Sequence, residues 1–342
     1  MAVNRKRLKV GAGMAAVVVV ALGVGIGTAD AGTRRSWWGA KPVKATPTVS
    51  VTPSKSVTSS PSVTPSAAVT PSKSTTPSAT RTSTTPAPAA STTTAAPVTT
   101  SAGWNPPPAN AGFDYQIGGA YTPPSGVTVV SRDREATPAA GVYNICYVNA
   151  FQAQPGAESW WKSNHPDLLL KDKNGALVVD EDWNELMLDF STAAKRTALV
   201  AVVGEWIDGC AADGFDAIES DNLDSYTRSQ GLLTQAQAVA YATALNTRAH
   251  DNGLASGQKN TAELSSANAK KAGFDFAVAE ECAEWDECDV YTATYGDKVI
   301  AIEYSRDGFS KACAAFGNKL SIVLRDRDVS ASGSRSYVYE AC

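Results

Sequence analysis

The sequence is poor in the residues that common metal and cofactor sites require. It has only two histidines, His165 and His250, and no C-x-x-C pair, so no metal site is predicted. No G-x-G-x-x-G motif follows the first predicted strand, and we therefore predict no cofactor. Long apolar runs are absent outside residues 10–27, so no further segment is expected to cross a membrane.

Acidic residues are almost absent from the first third of the chain. Residues 1–111 hold one acid and 11 basic residues, whereas residues 112–342 hold 33 Asp and Glu against 19 Lys and Arg. Because phosphate binding needs a positive surface, the acidic C-terminal part is not expected to bind nucleic acid. It suits a neutral or cationic partner, although surface solvation is the simpler role for most of these charges.

The N-terminus has the features of a secretory signal peptide. Basic residues at positions 5–9 precede the apolar residues 10–27, and Ala29 and Ala31 give the A-x-A pattern of a cleavage site. We interpret residues 1–31 as a signal peptide. The alternative is an uncleaved membrane anchor, because the apolar stretch is close to the ~18 residues that span a bilayer. Either interpretation predicts a secreted protein, tethered to the cell surface in the second case.

Residues 32–111 are dominated by Ser, Thr, Pro and Ala, and the sequence VTPSKS occurs at both position 51 and position 69. Prolines remove backbone donors, and large apolar residues are too few to offset the entropy of folding. We predict a disordered linker that acts as an extended spacer and allows association with the cell envelope through the N-terminus.

Residues 112–342 alternate short apolar strands with helical stretches, which is typical of an α/β domain with a parallel sheet. Eight such units predict a closed (β/α)8 TIM-type barrel, expected to be monomeric, with an open doubly wound sheet as the alternative. Residues 127–133 look like an extra strand outside this count. The eight predicted strands are 114–119, 143–151, 186–191, 215–222, 253–260, 274–281, 299–305 and 320–328.

All six cysteines lie in this domain, and an even number in an oxidising compartment predicts disulfides. Cys282 and Cys288 are near enough in sequence to close a small loop, so we favour that pair. A bond between Cys313 and Cys342 would fix the chain terminus. The remaining pair, by elimination, is Cys146 with Cys210.

Polar residues stand at the ends of consecutive predicted strands, where barrel enzymes carry their chemistry. Strand alternation places Glu219 and Asp221 on one face and Ser220 on the other. Two carboxylates that converge from different strands suit glycoside hydrolysis, although strand-end acids also cap helices or pair with basic residues. The strand-end residues are Asp189, Asp221, Lys259, Asn260, Glu280, Glu303 and Asp326.

Four segments of the domain carry recognisable motifs: GFDAIESDNLDSY (214–226), GLASGQKN (253–260), FDFAVAEECAEWDEC (274–288) and VIAIEYS (299–305). In this order and spacing they resemble consecutive motifs of the endo-α-1,4-polygalactosaminidase family, glycoside hydrolase family 114. The resemblance implies a secreted barrel enzyme that hydrolyses galactosamine-rich, α-1,4-linked polysaccharide from within the chain. It also implies that Asp221 and Glu280 form the catalytic pair, a choice that alternation alone leaves open.

We assign Asp221 as the nucleophile, kept ionised by Lys259 and Asn260 on the next strand. Glu280 is assigned as the general acid, because the apolar run before it and the acids Glu281 and Glu284 beside it favour its neutral form. The family resemblance favours retention of configuration.

Three positions within these segments differ from the family motifs: Ser220 replaces Pro, Ala279 replaces Asn and Glu281 replaces Gln. Upstream, the segment VNAFQAQ (148–154) lacks the Gly and Glu that the family usually has after the preceding strand. These differences leave the exact substrate and linkage open, and a non-catalytic carbohydrate-binding module is the alternative function. A third class is a cell-wall structural protein in which the linker has the main role. Among the aromatic residues, Trp206 is assigned to the core, and His250 is assigned as an exposed helix cap. The candidate substrate-binding residues are Tyr147, Asp189, Glu219, Asp224, Tyr226, Lys259, Asn260, Trp285 and Glu303.

Overall fold

The structure, a computed structural model, describes residues 103–342. The predicted signal peptide and the predicted linker up to residue 102 lie outside the described residues. The strands are β1 Phe113–Tyr115, β2 Val129–Asp133, β3 Tyr143–Asn149, β4 Val179–Asp180, β5 Glu185–Leu186, β6 Ala217–Asp221, β7 Ala255–Lys259, β8 Phe276–Glu280, β9 Val299–Glu303, β10 Ser321–Arg325 and β11 Tyr339–Ala341. The helices are α1 Glu158–Asn164, α2 Ala193–Asp213, α3 Ser225–Arg228, α4 Gln235–Asp251, α5 Ser266–Ala272, α6 Cys288–Tyr295 and α7 Arg306–Phe316.

Eight parallel strands form the barrel, in the order β1, β2, β3, β6, β7, β8, β9 and β10. The first and last strands meet through a fully buried ion pair, in which Arg325 Nη1 lies 3.0 Å from Asp114 Oδ1. Strand β11 continues the sheet antiparallel to β10. The prediction of a (β/α)8 barrel is therefore confirmed, with loops in place of helices after β1 and β2.

Two strand predictions were wrong. Residues 127–133, counted as an extra strand, contain the barrel strand β2. Residues 186–191 contribute only to a two-stranded hairpin, β4–β5, which is inserted between β3 and α2. Leu186, Met187 and Leu188 are buried in the core cluster around α2 and α4. Loops and helices bury this apolar run here. Its sequence pattern is the same as that of a buried strand, so the pattern alone could not tell the two apart.

Four of the seven helices in the described residues, α2, α4, α5 and α7, begin at a Ser or Thr whose side chain caps the helix. Thr234 accepts a hydrogen bond from the backbone of Gln237, whose side chain bonds back to Thr234 and completes a capping box at the start of α4. Gly253, the predicted stop signal, follows the end of α4 with φ +77°. In the part of the chain that the structure describes, no helix is long and apolar enough to span a bilayer.

The segment before residue 112 contacts the barrel, although the sequence places it in the linker. Trp104 stacks on His250 with ring centroids 3.8 Å apart and donates a hydrogen bond to Asp275 at 3.0 Å. The hydroxyl of Tyr143 donates to the backbone oxygen of Asn105 at 2.6 Å. His250 is therefore a partly buried contact residue, and its assignment as an exposed cap was wrong.

Three disulfides link the six cysteines, and all three predicted pairs are confirmed. Cys146–Cys210 joins β3 to the end of α2, and Cys313–Cys342 attaches the C-terminus to α7. Cys282–Cys288 closes the short loop after β8, which we call the clip loop (residues 282–288). The clip loop therefore follows directly from the strand that carries Glu280.

One glycine of the barrel wall is required by close packing. A Cβ atom added at Gly257, on β7, would lie 2.8 Å from two ring carbons of Phe276, which fills the barrel interior. The ring is fully buried, so neither it nor the strand has room to move. Gly257 thus sets the spacing between β7 and β8, the strands that carry Lys259 and Glu280.

We predict that Gly257→Ala lowers the free energy of unfolding by about 1–3 kcal/mol through overpacking. Gly209→Ala is the matched control, because Gly209 lies inside α2 with no atom within 4 Å of the added Cβ. The control should stabilise the protein by about 0.5–1 kcal/mol. Urea unfolding of both variants measures the difference, and equal effects would contradict the packing argument.

Candidate active site

Three neighbouring strands bring an acid, a base and a second acid to one point at the barrel mouth. Lys259 Nζ lies 3.1 Å from Asp221 Oδ1 and 3.2 Å from Glu280 Oε2. The three residues are the last residues of β6, β7 and β8. Neighbouring strands in a sheet lie about 4.8 Å apart, so side chains at their ends can contact one another. The Lys259 side chain is only 1% exposed, so its charge is balanced by protein carboxylates.

Glu219 lies below this point, on the same face of β6 as Asp221, as alternation predicts. Its Oε1 is 3.3 Å from Lys259 Nζ, and it accepts hydrogen bonds from Tyr115 at 2.7 Å and Ser131 at 2.8 Å. Burial raises the pKa of Glu219, although Lys259 and the Tyr115 hydroxyl oppose the shift. We call the space at the barrel mouth above Asp221, Lys259 and Glu280 the pocket. Because Glu219 is fully buried, it supports Lys259 from beneath and does not line the surface of the pocket.

Asp221 accepts a hydrogen bond from the Tyr147 hydroxyl at 2.7 Å in addition to its contact with Lys259. Burial opposes ionisation, but Lys259, Tyr147 and the backbone amide of Asn222 outweigh it, so the pKa of Asp221 lies below its ordinary value. Burial likewise disfavours the Lys259 cation, but Asp221, Glu280 and Glu219 reverse this and raise the pKa of Lys259. Asp221 is therefore held as a carboxylate.

Glu280 is oriented by two polar side chains. Asn260 Nδ2 donates to its Oε2 at 2.9 Å, and the backbone amide of Glu280 donates back to Asn260 Oδ1 at 2.9 Å. The Tyr304 hydroxyl donates to the other oxygen, Oε1. Asn260 thus contacts Glu280, and the prediction that it is a partner of Asp221 was wrong.

The acids next to Glu280 in sequence turn away from it. Glu281 pairs with Arg327, and Glu284 accepts a hydrogen bond from Ser305 at 2.7 Å. The expected crowding of like charges around Glu280 is therefore absent from this part of the described structure. The charged neighbour of Glu280 is Lys259, because the backbone turns sharply as β8 ends.

Left-handed backbone follows all three strands of the site. Asn222, Asn260 and Glu281, each directly after a strand, have φ of 66°, 47° and 57°. Residues other than glycine rarely adopt this conformation, although Asn does so more often than most. It occurs especially often at functional sites. It turns the chain away at once, so that the last side chain of each strand remains at the barrel mouth.

Four other predicted site residues have neighbours other than Asp221, Lys259 and Glu280, or lie exposed at the surface. Asp224 pairs with Arg228 at 2.7 Å, and Tyr226 donates a hydrogen bond to Glu263 at 3.1 Å. Trp285 projects from the clip loop and is 65% exposed. Asp189 lies before α2, where it contacts Ser191 and Lys195.

Glu303 faces outward from β9, beneath the clip loop. Its Oε1 accepts a hydrogen bond from the backbone of Ala283 at 2.8 Å, and a Cβ on Gly308 would clash with its Oε2 at 2.4 Å. The sulfurs of Cys282 and Cys288 lie close by but are bonded to each other, so they offer no thiolate to a metal. Glu303 thus holds the clip loop in place.

Two of the three departures from the family motifs lie outside the pocket. Ser220 points to the opposite face of β6, where its hydroxyl is buried without a hydrogen bond among the described residues. Ala279 packs outward, in the cluster formed with α6 and α7. Only the third, Glu281, lies at the mouth of the barrel, where it pairs with Arg327.

Sequence reasoning missed Tyr115, Ser131 and Glu185. Tyr115 and Ser131 could have been predicted from their hydroxyl groups, which strand alternation can place on the inward face of β1 and β2. Glu185, on β5, accepts hydrogen bonds from Asn149 at 2.9 Å and Asn222 at 3.2 Å. Burial, followed by the charges of Asp221 and Asp180, raises the pKa of Glu185 to about 8, against the hydrogen bond from Asn149. The misassigned strand at 186–191 concealed this residue.

We predict that Glu303→Gln changes how stability depends on pH. Burial raises the pKa of Glu303 to about 7, with added repulsion from Glu281 and Glu284, while the backbone amides of Ala283 and Glu284 oppose the shift. Because the pKa of Glu303 is higher in the folded state than in the unfolded state, the protonated carboxyl group contributes its full stability to the wild-type protein below about pH 4.5. This contribution is lost as the pH rises through 7. Between pH 4 and pH 8 the stability of the variant should therefore gain about 2–4 kcal/mol relative to wild type.

Chemical unfolding at several pH values measures this difference. Glu205→Gln on the exposed surface of α2 is the control and should keep the wild-type pH dependence. If Glu303→Gln and wild type have parallel profiles, the carboxyl does not titrate in the folded protein as described.

Comparison with known proteins places this site in a family. A family model described as glycoside-hydrolase family GH114 matches residues 93–342. The structure of Aspergillus fumigatus Ega3 in complex with galactosamine is similar, with 23% identity, a TM-score of 0.55 and coverage of 69% of this chain and 96% of that chain. The glycoside hydrolase domain of PelA from Pseudomonas aeruginosa has 16% identity, a TM-score of 0.46 and coverage of 65% and 96%.

A comparison with curated protein sequences found no match. The likeness to Ega3 supports the barrel fold. The family match is the stronger finding, because it spans most of the chain and includes every residue of the site. This chain belongs to glycoside hydrolase family GH114.

Proposed function

We propose that this glycoside hydrolase cleaves α-1,4-linked galactosamine polysaccharide from within the chain, with Asp221 as nucleophile and Glu280 as general acid and base. The observation that carries the proposal is the pair of carboxylates held on one buried ammonium group, Lys259, at the barrel mouth. Two carboxylates on opposite sides of a glycosidic bond are what this hydrolysis requires.

The distance between the two acids supports retention of configuration. Asp221 Oδ1 and Glu280 Oε2 lie 3.1 and 3.2 Å from the same nitrogen atom. The two oxygens are thus at most about 6.3 Å apart, less than the roughly 6.5–9.5 Å between the carboxyl groups of inverting enzymes.

In the first step, an oxygen of Asp221 bonds to the anomeric carbon while the glycosidic bond breaks. Glu280 gives its proton to the departing oxygen, so the leaving chain is released as an alcohol. In the second step, Glu280 takes a proton from water, the water oxygen bonds to the anomeric carbon, and the bond to Asp221 breaks. Tyr147 and Lys259 orient Asp221, whereas Asn260 and Tyr304 orient Glu280.

The substrate class rests on the family and on charge. Ega3 is described in complex with galactosamine, and the domain of this chain carries an excess of acids that suits a cationic polymer. Trp285 presents an exposed aromatic face on the clip loop, which follows the strand of Glu280, and we propose that it stacks on a sugar of the bound chain. Cleavage within the chain is carried over from the family resemblance.

Secretion is part of the proposal. The three disulfides are typical of a protein in an oxidising compartment, which agrees with the signal peptide predicted over residues 1–31. A linker over the following residues would let a monomeric catalytic domain work at a distance from the cell surface. Because Ser220 and Ala279 point away from the pocket, those motif departures do not favour a non-catalytic module.

We predict that the two catalytic variants differ in which substrates they still react with. Asp221→Asn should abolish turnover of every substrate, because the nucleophile is lost. Glu280→Gln should abolish cleavage of the polymer but spare the first step on activated aryl glycosides, whose leaving group needs no proton. Pre-steady-state release of the aryl group measures this step. If Asp221→Asn alone retains aryl release, the two roles are reversed.

We also predict that salt weakens activity on a cationic substrate. The KM for de-N-acetylated polymer should rise as ionic strength passes physiological values, where the screening length is about 8 Å. The KM for fully N-acetylated polymer should change little. Steady-state kinetics at several salt concentrations compare the two polymers. An equal response would mean that the excess acids serve only to solvate the surface.

A further inference from the structure

Glu185 lies beside the nucleophile although it comes from outside the barrel. It belongs to the β4–β5 hairpin and is only 5% exposed. Its Oε2 accepts hydrogen bonds from Asn149, which pairs with Asp221 across the β3–β6 register, and from Asn222, the residue after Asp221. The inserted hairpin therefore fixes one carboxyl group next to the position where a sugar meets Asp221.

This carboxyl group has no cation of its own. Within residues 103–342, no Lys, Arg or His lies at ion-pair distance from Glu185, and its Oε1 accepts no hydrogen bond. Arg228, on α3, is bound by Asp180 at 2.5 Å and Asp224 at 2.7 Å. Lys259 is held by the three carboxylates of the pocket.

The region as a whole has more acids than bases. Six carboxyl groups share two cations, so they cannot all be ionised and paired at the same time. A buried carboxylate without a counter-ion is costly, so such a group stays protonated until a cation reaches it. The carboxyl groups are Asp180, Glu185, Glu219, Asp221, Asp224 and Glu280, and the cations are Arg228 and Lys259.

We propose that Glu185 binds the ammonium group of an amino sugar whose anomeric carbon lies against Asp221, and so makes the enzyme prefer free amines to N-acetylated sugars. This inference rests on the proposed function. An ammonium group supplies the missing positive charge and donates to the open Oε1. An acetamido group is neutral, so the carboxyl group stays protonated and forms no ion pair with it; a buried polar contact made with one substrate and not with the other discriminates strongly between them.

The amides of Asn149 and Asn222 are suited to this role. They hold Oε2 by neutral donors, which orient the carboxyl group without neutralising it. Asn149 Oδ1 in turn accepts from Asn222 at 3.1 Å, so the two amides fix each other. Glu185 is therefore preorganised, and little ordering entropy remains to be lost when a cation binds.

The test compares Glu185→Gln with Glu303→Gln in the full chain. Both residues are buried glutamates with raised pKa values, but Glu303 lies under the clip loop and faces away from the pocket. We measure kcat/KM on galactosamine oligosaccharides that are fully de-N-acetylated or fully N-acetylated. Glu185→Gln should lower the value for the de-N-acetylated substrate about 10- to 100-fold and leave the other nearly unchanged, as for loss of a charged hydrogen bond. Glu303→Gln should leave the ratio of the two values as in wild type.

Two results would overturn the inference. If wild type prefers the de-N-acetylated oligosaccharide and Glu185→Gln keeps the same preference, or loses both activities equally, then Glu185 does not read the amino group. If wild type cleaves neither oligosaccharide, the proposed function itself is wrong and the inference falls with it.

A second measurement needs no change at Glu185. Because burial and nearby acids raise the pKa of Glu185 to about 8, the carboxyl group is protonated in the free enzyme at pH 6.5 and must release its proton when an ammonium group binds. Calorimetry in buffers of different ionisation enthalpy, on a Glu280→Gln background that blocks hydrolysis, counts this proton. De-N-acetylated oligosaccharide should release about one proton, and N-acetylated oligosaccharide none. Equal proton release for both ligands would contradict the inference.

Discussion

A buried ammonium group surrounded by three carboxylates is the interaction on which the site depends. Lys259 is almost fully buried, and an unpaired cation at that depth would cost several kcal/mol. Glu219 offsets this cost from below, while Asp221 and Glu280 offset it from the two sides. The same contacts that neutralise Lys259 bring the two proposed catalytic carboxylates close together.

The barrel is what makes this arrangement possible. Tyr115 from β1 and Ser131 from β2 bind Glu219, and Tyr147 from β3 binds Asp221, so strands distant in sequence meet at one pocket. Below the polar layer, the interior is filled by apolar side chains such as Phe276, which packs against Gly257. A small shift in the wall would therefore change the distances among the charged groups above it.

Much of the site follows from strand alternation. The sequence places Glu219 and Asp221 on one face and Lys259 and Glu280 at the ends of the next two strands, and the structure brings all four together. Alternation could not show which side of a neighbouring strand faces inward. Glu303 ends a barrel strand but points outward, beneath the clip loop.

Other features depend on contacts that no local pattern encodes. The apolar run at 186–191 is buried by covering loops and helices, so it imitates a barrel strand and hides the position of Glu185. The partner of Asn260 depends on the left-handed turn after β7, which directs its amide to Glu280. The resemblance to the GH114 motifs predicted Asp221 and Glu280 as the catalytic pair but carried no information about the hairpin inserted beside them.

The most direct test of the account is to trap the covalent intermediate. Glu280→Gln lacks the base of the second step, so an activated aryl galactosaminide should leave the enzyme glycosylated. Peptide mapping by mass spectrometry then locates the sugar. We expect one sugar per chain, attached to Asp221. A sugar attached to any other residue, or an unlabelled enzyme that releases a product of inverted anomeric configuration, would contradict the proposed mechanism.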